Sequence, residues 1–332
     1  MISQLRFHPY RLRFKQPWTT HYGTCSHREG FLVELLDTAG RKGVGEAAPL
    51  PEIGTESLAR CEQGLQQFQE SFPHSSESLT AALAPYRKDT PALCCGLESA
   101  LLQLSSQQQQ VAPQLLLNSE SSQTIQVNQI LPPLPTPTYQ PEGNTILKLK
   151  LGIAPIEQEL SALQSWAATL PAPFQLRLDI NQGWSATEAA WFLSKAKALP
   201  IESIEEPLQH PTLASLESLQ QQSSFPIAID ESLPDFDLEK ICQSTIQRAV
   251  LKPTRLGGPL TTVQIAQQLQ QHQISTVVTS ALESSIGLHI AACCAAAIDP
   301  HQQLAHGLGT ASLLEEDLAV APRIEDGVLS LS

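Results

Sequence analysis

From about residue 124 onward, short β-rich runs alternate with longer stretches of helical spacing, and this rhythm constrains the fold more than any other feature. After the short apolar run TIQVNQI come TILKLKL, FQLRLDI, IESIEE, FPIAID, RAVLK and ISTVVTS. Between them the pattern predicts helices over 155–169, 185–198, 211–221, near 236–243, 259–271 and 285–297. Such alternation implies parallel strands joined by crossover helices. So many βα units in so short a segment point to a TIM-type barrel rather than an open sheet.

The first hundred residues read differently. Leu5, Phe7, Leu12 and Phe14 lie in a roughly alternating stretch, and FLVELLD at 31–37 reads as a strand. A turn at Thr38-Ala39-Gly40 leads into RKGVGEA, predicting a hairpin. Helical spacing follows at Leu58, Cys61, Leu65 and Phe68, and again at Leu93, Leu97, Leu101 and Leu104. Strands and then helices in blocks predict an α+β domain. SSQQQQ at 105–110 reads as a solvated helix end or linker. Pro132, Pro133, Pro135 and Pro137 mark a long loop. The tail, RIEDGVLSLS, carries an Asp-Gly turn and strand character, and is expected to leave the barrel and rejoin the first domain. The expected division is residues 1–120, completed by 312–332, and a barrel over 121–311.

Composition narrows the function. A chain of 332 residues with 42% apolar content can bury two cores, and a net charge of −13 argues against nucleic acid and anionic membrane surfaces as partners. The first fifteen residues hold Arg6, Arg11, Arg13 and Lys15 without an unbroken apolar core of a targeting signal. The longest apolar run, 290–298, is too short to span a bilayer. Seven cysteines, including the adjacent pairs Cys94-Cys95 and Cys293-Cys294, show neither a disulfide framework nor CxxC spacing. They read as reduced residues of a cytoplasmic protein.

Polar residues interrupt the apolar barrel strands: Lys148 and Lys150, Arg177 and Asp179, Glu205 and Glu206, Asp230, and Lys252. Lys150, Asp179, Glu205, Asp230 and Lys252 are spaced by 29, 26, 25 and 22 positions, close to one βα unit each. All stand at or near strand C-terminal ends, where a barrel collects catalytic groups. Side chains at i and i+2 share a face, so Lys148 goes with Lys150 and Arg177 with Asp179, while Leu149 and Leu178 face the outer helices. Strand phase alone does not choose between Glu205 and Glu206.

Three buried carboxylates need a cation. The donors are all oxygen, which favours a hard ion such as Mg²⁺ over zinc. Lysines flanking it would have lowered pKa values, each opposing a proton on the next, and a neutral lysine is a competent general base. Metal plus lysine suits removal of a proton beside a carboxylate, with the ion stabilising the enediolate; this is the arrangement named for enolase-type sites among known examples. Taken singly, each residue has a structural reading: a carboxylate at a strand end as a salt bridge or helix cap, KxK as a solvated edge strand. The ordered set of five is far more specific.

These motifs resemble the enolase superfamily, in its muconate-lactonizing-enzyme-like branch with lysines on both sides of the site. The matching segments are KLK at 148–150, Asp179 followed by Asn181, Glu205 in EEP, Asp230 in DES and Lys252 in KPT. GVGEAAPLP resembles that superfamily's capping domain. The resemblance implies an α/β fold, a modified TIM barrel (β/α)7β with an α+β N-terminal capping domain. It implies Asp179, Glu205 and Asp230 as ligands of Mg²⁺, with Mn²⁺ able to substitute, and Arg177, Asn181 and Glu206 beside them. Within the branch the likeness is strongest to the o-succinylbenzoate synthase family, through REG at 28–30, EAAPLP at 46–51, LKPTRLGG at 251–258, SALESSIGL at 280–288 and HGLGT at 306–310.

That family dehydrates 2-succinyl-6-hydroxy-2,4-cyclohexadiene-1-carboxylate to 2-succinylbenzoate in menaquinone or phylloquinone biosynthesis. By resemblance Lys150 removes the α-proton and then protonates the departing hydroxyl, Lys252 stabilises the enolate, and Lys148 tunes Lys150. Thr279, Ser280 and Glu283 are positional candidates for binding this small carboxylate substrate. The same lysines serve N-succinylamino acid racemases and muconate cycloisomerases. Dipeptide epimerases carry a DxD near the eighth strand, which DPHQQLAHGLGT lacks. A Schiff-base lyase would leave the three carboxylates superfluous, and a non-catalytic barrel would be expected to have lost one of the five.

Overall fold

Alternating apolar residues at the N-terminus build a long hairpin, β1 (Ile2–Thr20) and β2 (Gly23–Asp37), extended by β3 (Lys42–Ala47) into an antiparallel sheet. The structure, a computed structural model, describes residues 1–331 apart from 21–22, 73–74, 133, 135–145 and 171–172, with backbone alone at 19, 20, 23 and 24. The loop expected at Pro133, Pro135 and Pro137 lies outside the described residues. Helices α1 (Leu58–Glu70), α2 (Ser76–Leu83) and α3 (Pro91–Gln109) cover one face of the sheet. Phe31, Val33 and Leu35 of β2 pack there on Cys61, Leu65 and Phe68 of α1 and Leu93, Leu97, Leu101 and Leu104 of α3. The glutamine-rich stretch forms the last turn of α3, ended by Gln110 in a left-handed conformation.

The glycines of β3 have a packing reason. A Cβ on Gly45 would collide with the carbonyl of Gly96, and one on Gly96 would stand 2.7 Å from Ala47 Cβ. Strand and helix therefore meet backbone to backbone, a distance only glycine permits.

After α4 (Pro113–Leu117), the run read as the single strand TIQVNQI divides into β4 (Thr124–Gln126) and β5 (Gln129–Ile130). It divides because the two halves have different partners. β4 pairs with the tail hairpin, whereas β5 joins the barrel. The barrel continues as β6 (Ile146–Lys150), α5 (Ile156–Ala167), β7 (Gln175–Asp179), α6 (Ala186–Lys195), β8 (Ile201–Glu205), α7 (Leu213–Gln220) and β9 (Ile227–Ile229). It ends with α8 (Leu238–Cys242), β10 (Arg248–Leu251), the short α9 (Pro253–Leu256), α10 (Pro259–Gln271), β11 (Ser275–Val278) and α11 (Ser285–Ile298). Capping boxes start α6 at Ser185 and Glu188 and α7 at Thr212 and Ser215.

The parallel order β11-β10-β9-β8-β7-β6-β5 is a curled sheet. Its edges are joined by residues 306–307: Val127 bridges His306 and Thr279 bridges Gly307, both in parallel sense. That segment serves as an eighth strand. Leu147, Leu149, Leu176, Leu178, Ile227, Ile229 and Leu251 face outward into the main core, while Ala228, Val250, Val277 and Leu304 form a small inner cluster.

The tail strands β12 (Ile324–Glu325) and β13 (Val328–Ser330) pair with each other across a turn at Asp326-Gly327, and β13 pairs with β4, not with the β1–β3 sheet. Contact with the first sheet comes earlier in the tail, where Leu314 bridges Phe14 and the Glu315 N–H donates to the Arg13 carbonyl. Among the described residues no helix is long and apolar enough to cross a membrane, and all seven cysteines are free.

Candidate active site at the mouth of the barrel

Strand register brings the polar set together. Lys150 pairs with Asp179 and Asp179 with Glu205, while Glu205 pairs with Ala228, two residues before Asp230. Lys150, Asp179 and Glu205 end their strands, and Asp230 and Lys252 each follow theirs by one residue. Their common parity points them into the barrel, opposite the outward leucines.

Lys148 Nζ bridges Asp179 Oδ2, at 2.9 Å, and Glu205 Oε2. Lys252 Nζ pairs with Asp230 Oδ1. Lys150 is different: its Nζ donates to Asn181 Oδ1 at 2.5 Å, and among the described residues it makes no ion pair. Asn181, held at positive φ just beyond β7, passes the contact on by donating Nδ2 to Glu231 Oε1 at 2.8 Å.

The electrostatics correct one expectation. Burial opposes the charge of Lys148, yet Asp179, Glu205 and Asp230 together raise its pKa above the ordinary lysine value. Burial opposes Lys252 too, and Asp230 and Glu231 raise it. Lowered lysine pKa values were expected; for these two the carboxylates outweigh the neighbouring ammonium. Burial pushes Asp179 up, but Lys148 holds it below the usual carboxylate range. Burial pushes Glu205 up, and Glu231 is pushed up to about 8 by burial and the adjacent Asp230.

The adjacent glutamates diverge. Glu205 faces Lys148 and, at 3.7 Å, the Arg177 Nε. Glu206, at positive φ, turns away and accepts from the Asp230 N–H at 2.7 Å and from the Ser232 hydroxyl at 3.0 Å, fixing the turn that carries Asp230.

As a donor set, Asp179, Glu205 and Asp230 suit Mg²⁺, and Asp179 Oδ1 and Glu205 Oε1 are buried without a hydrogen-bond partner, as ligand oxygens would be. Among the described residues no group of three His, Cys, Asp or Glu side chains is arranged to hold an ion, because Lys148 and Lys252 draw the carboxylates onto their ammonium groups.

Arg177, which faces Glu205, is tied more closely to Glu202. It donates Nε and Nη2 to Glu202 at 3.1 and 3.2 Å and Nη1 to the Ala305 carbonyl at 2.8 Å. Arg248 joins the same carboxylate. Burial opposes the Glu202 charge, but the two guanidinium groups hold its pKa down at about 2. Sequence reasoning passed over Glu202 because register skips it: Leu176 pairs with Ile201 and Arg177 with Ser203, so strand parity does not foretell its direction.

Of the substrate-binding candidates, Ser280 shares a hydrogen bond of 2.6 Å with Thr310. Glu283 accepts from Thr254 Oγ1 at 2.5 Å and from the Ala281 N–H at 2.6 Å. Only Thr279 has a side-chain oxygen without a partner.

The first domain reaches this end of the barrel. Arg28 donates to carbonyls of Leu282, at 3.1 Å, and Pro49, at 2.6 Å. Glu46 accepts from the N–H groups of Ser284 and Gly287 at 3.0 and 2.8 Å, capping α11. Glu98 of α3 accepts from the Leu260 N–H at 2.8 Å at the start of α10 and pairs with Arg87 at 2.5 Å.

Comparison with known proteins agrees with this architecture. Residues 138–332 match the family described as Enolase C-terminal domain-like, and residues 2–104 match the MenC N-terminal domain. An o-succinylbenzoate synthase of Pasteurella multocida is 28% identical, over 87% of this chain and 84% of that protein. Protein PHYLLO, chloroplastic, of Arabidopsis thaliana is 27% identical over 96% of this chain, which spans only 21% of that protein's length. Among solved structures, a dipeptide epimerase from Enterococcus faecalis, complexed with Mg and a dipeptide, superposes with a TM-score of 0.87 at 22% identity, covering 100% of this chain and 97% of that one. With the capping sheet, the closed parallel barrel and a family match over more than half its length, the chain belongs to the enolase superfamily.

Proposed function

We propose that the chain catalyses the o-succinylbenzoate synthase reaction, the dehydration of 2-succinyl-6-hydroxy-2,4-cyclohexadiene-1-carboxylate to 2-succinylbenzoate, in the cytoplasm. One observation carries the reading. Lys150 on β6 and Lys252 after β10 stand four strands apart around an eight-stranded mouth, with the three carboxylates on the strands between. Relatives named for this reaction, aligned over most of both chains, support the substrate. We take residues 1–120 with 312–332 as the cap and 121–311 as the catalytic barrel.

Asp179, Glu205 and Asp230 would hold Mg²⁺, which supplies an electrophile that stabilises charge on the substrate carboxylate. Lys150, as the free amine, takes the proton α to that carboxylate. The ammonium so formed protonates the leaving hydroxyl, which departs as water. One C–H and one C–O bond break, a ring double bond forms, and the base is regenerated. Lys252 stays an ammonium across the barrel and stabilises the developing negative charge. Lys148, locked between Asp179 and Glu205, lies two residues before Lys150 on the same face of β6 and would tune it electrostatically.

Turnover followed by ultraviolet absorbance tests this. Dehydration should stop in excess chelator and return with Mg²⁺ or Mn²⁺; full activity in chelator overturns the role of the carboxylates. Racemisation of N-succinylamino acids without dehydration would favour the racemase alternative.

A further inference from the structure

Lys148 and Lys252 are held by carboxylates, whereas Lys150 rests on a neutral amide. Lys150 Nζ donates to Asn181 Oδ1 at 2.5 Å, and Asn181 Nδ2 donates to Glu231 Oε1 at 2.8 Å. A carboxamide has two unlike ends, an acceptor and a donor, and its neighbours decide which faces where. With Oδ1 toward Lys150, the amine gives a hydrogen to the amide and keeps its lone pair free to take a proton. Turned over, the amide would donate into that lone pair and occupy it. A carboxylate oxygen at the far end favours the first arrangement, since it accepts from Nδ2 and repels Oδ1.

The backbone keeps both groups in place. Asn181 stands at φ 45°, a left-handed conformation that asparagine tolerates better than most residues. The flanking N–H groups of Ile180 and Gln182 donate to the carbonyls of Glu205, at 3.1 Å, and Glu206, at 2.7 Å. Glu231 is pinned from both sides as well. The Glu206 carboxylate accepts from the Asp230 N–H at 2.7 Å and from the Ser232 N–H at 3.2 Å. Among the described residues Glu231 Oε2 is buried without a hydrogen-bond partner, so the Asn181 contact is what the side chain offers at this site. A carboxyl group held this way carries a desolvation cost that a leucine would not.

We infer that Glu231 is a positioning residue for the base: it holds the Asn181 amide with Oδ1 toward Lys150, leaving the lysine lone pair free for the substrate proton. In this role Glu231 acts through Asn181 and not on the substrate itself. The inference rests on the proposed reaction for the task of Lys150, but the state of the amine can be read without turnover.

The test uses the full-length protein and two readouts. Acetylation of Lys150 by trace acetic anhydride, followed by peptide mass spectrometry against the exposed Lys195, reports the free lone pair without substrate. The kcat and KM for dehydration report its use. Glu231→Leu should slow Lys150 acetylation about fivefold, the worth of one hydrogen bond. Its kcat should fall about ten- to a hundredfold with KM within about twofold, since part of a general base's contribution is lost. Glu231→Met, equally apolar and unbranched, is read the same way if the leucine variant does not fold. Glu231→Gln keeps an acceptor oxygen and should bring both readouts to within about threefold of wild type. Asn181→Gly suits the positive φ and removes the amide itself. Added to Glu231→Leu, it should return Lys150 acetylation to within about twofold of wild type, because nothing is left to occupy the lone pair. Unchanged acetylation in Glu231→Leu, no recovery on adding Asn181→Gly, or a Glu231→Gln as impaired as Glu231→Leu overturns the inference. So does a loss of turnover that excess Mg²⁺ cures. A wild type that does not dehydrate the substrate, with the acetylation pattern intact, overturns only the proposed reaction.

Discussion

At the scale of single residues, three lysines of one mouth have three different partners. Lys148 sits between two carboxylates, Lys252 on one, and Lys150 on the Asn181 amide. Lys150→Ala should therefore lower kcat by about 10²–10⁴-fold, the usual worth of a general acid/base, while the melting temperature and calorimetric Mg²⁺ binding stay near wild type. Lys252→Arg should keep more activity than Lys150→Arg, because a guanidinium can stabilise charge but cannot act as a base near neutral pH. Activity at the wild-type level in both Lys150→Ala and Lys252→Ala would reject a lysine mechanism. The strand-end residues were legible in the sequence because a barrel strand has period two and a fixed polarity. Glu202 was not, since a skipped register position hides its direction, and neither was Arg248, which opens its strand and reads as a boundary.

At the scale of elements, Arg177 of β7, Glu202 of β8 and Arg248 of β10 tie three strands beneath the site. Arg248 is in register with Ala228 of β9, whose small side chain leaves room for the guanidinium to reach across. The tie has a pH signature. Glu202 is held near 2 in the folded chain against about 4.3 when unfolded, so it stabilises above the unfolded value and loses that contribution as pH falls through the folded one. The stabilisation is on the order of 3 kcal/mol near neutrality. The urea-midpoint gap between wild type and Glu202→Gln should be steady from pH 7 to about 5 and narrow below about 4.5. A gap that widens on acidification would contradict it. Among the helices, periodicity located the long crossovers within a few residues, whereas the four-residue α9 was obscured because its Pro-Thr-Arg-Leu sequence carries too few turns to show a period.

At the scale of the molecule, sheet and barrel are clasped by Arg28, Glu46 and Glu98, each bridging residues far apart in sequence. Such buried ties predict that the two parts unfold together. Far-ultraviolet circular dichroism and tryptophan fluorescence, weighted to the barrel by Trp166, Trp184 and Trp191, should give coincident urea transitions. Glu98→Ala should move both curves to lower urea together, by about 1–3 kcal/mol, because it leaves the Leu260 N–H unpaired and takes from Arg87 its carboxylate partner. Separate transitions in the wild type would show two independent units. The ties themselves were not legible: a lone glutamate on an apolar helix gives no sign of which distant backbone it caps. One consequence follows from α3, which touches β3 at Gly96 without a side chain between and, on its other flank, grips α10 through Glu98 two residues later. The helix works as a spacer gauge between the two halves, its thickness setting how far the sheet stands from the rim. Slack at that contact is measured in tenths of an ångström, so sequence drift in the sheet would surface first as altered catalysis, well before any loss of fold.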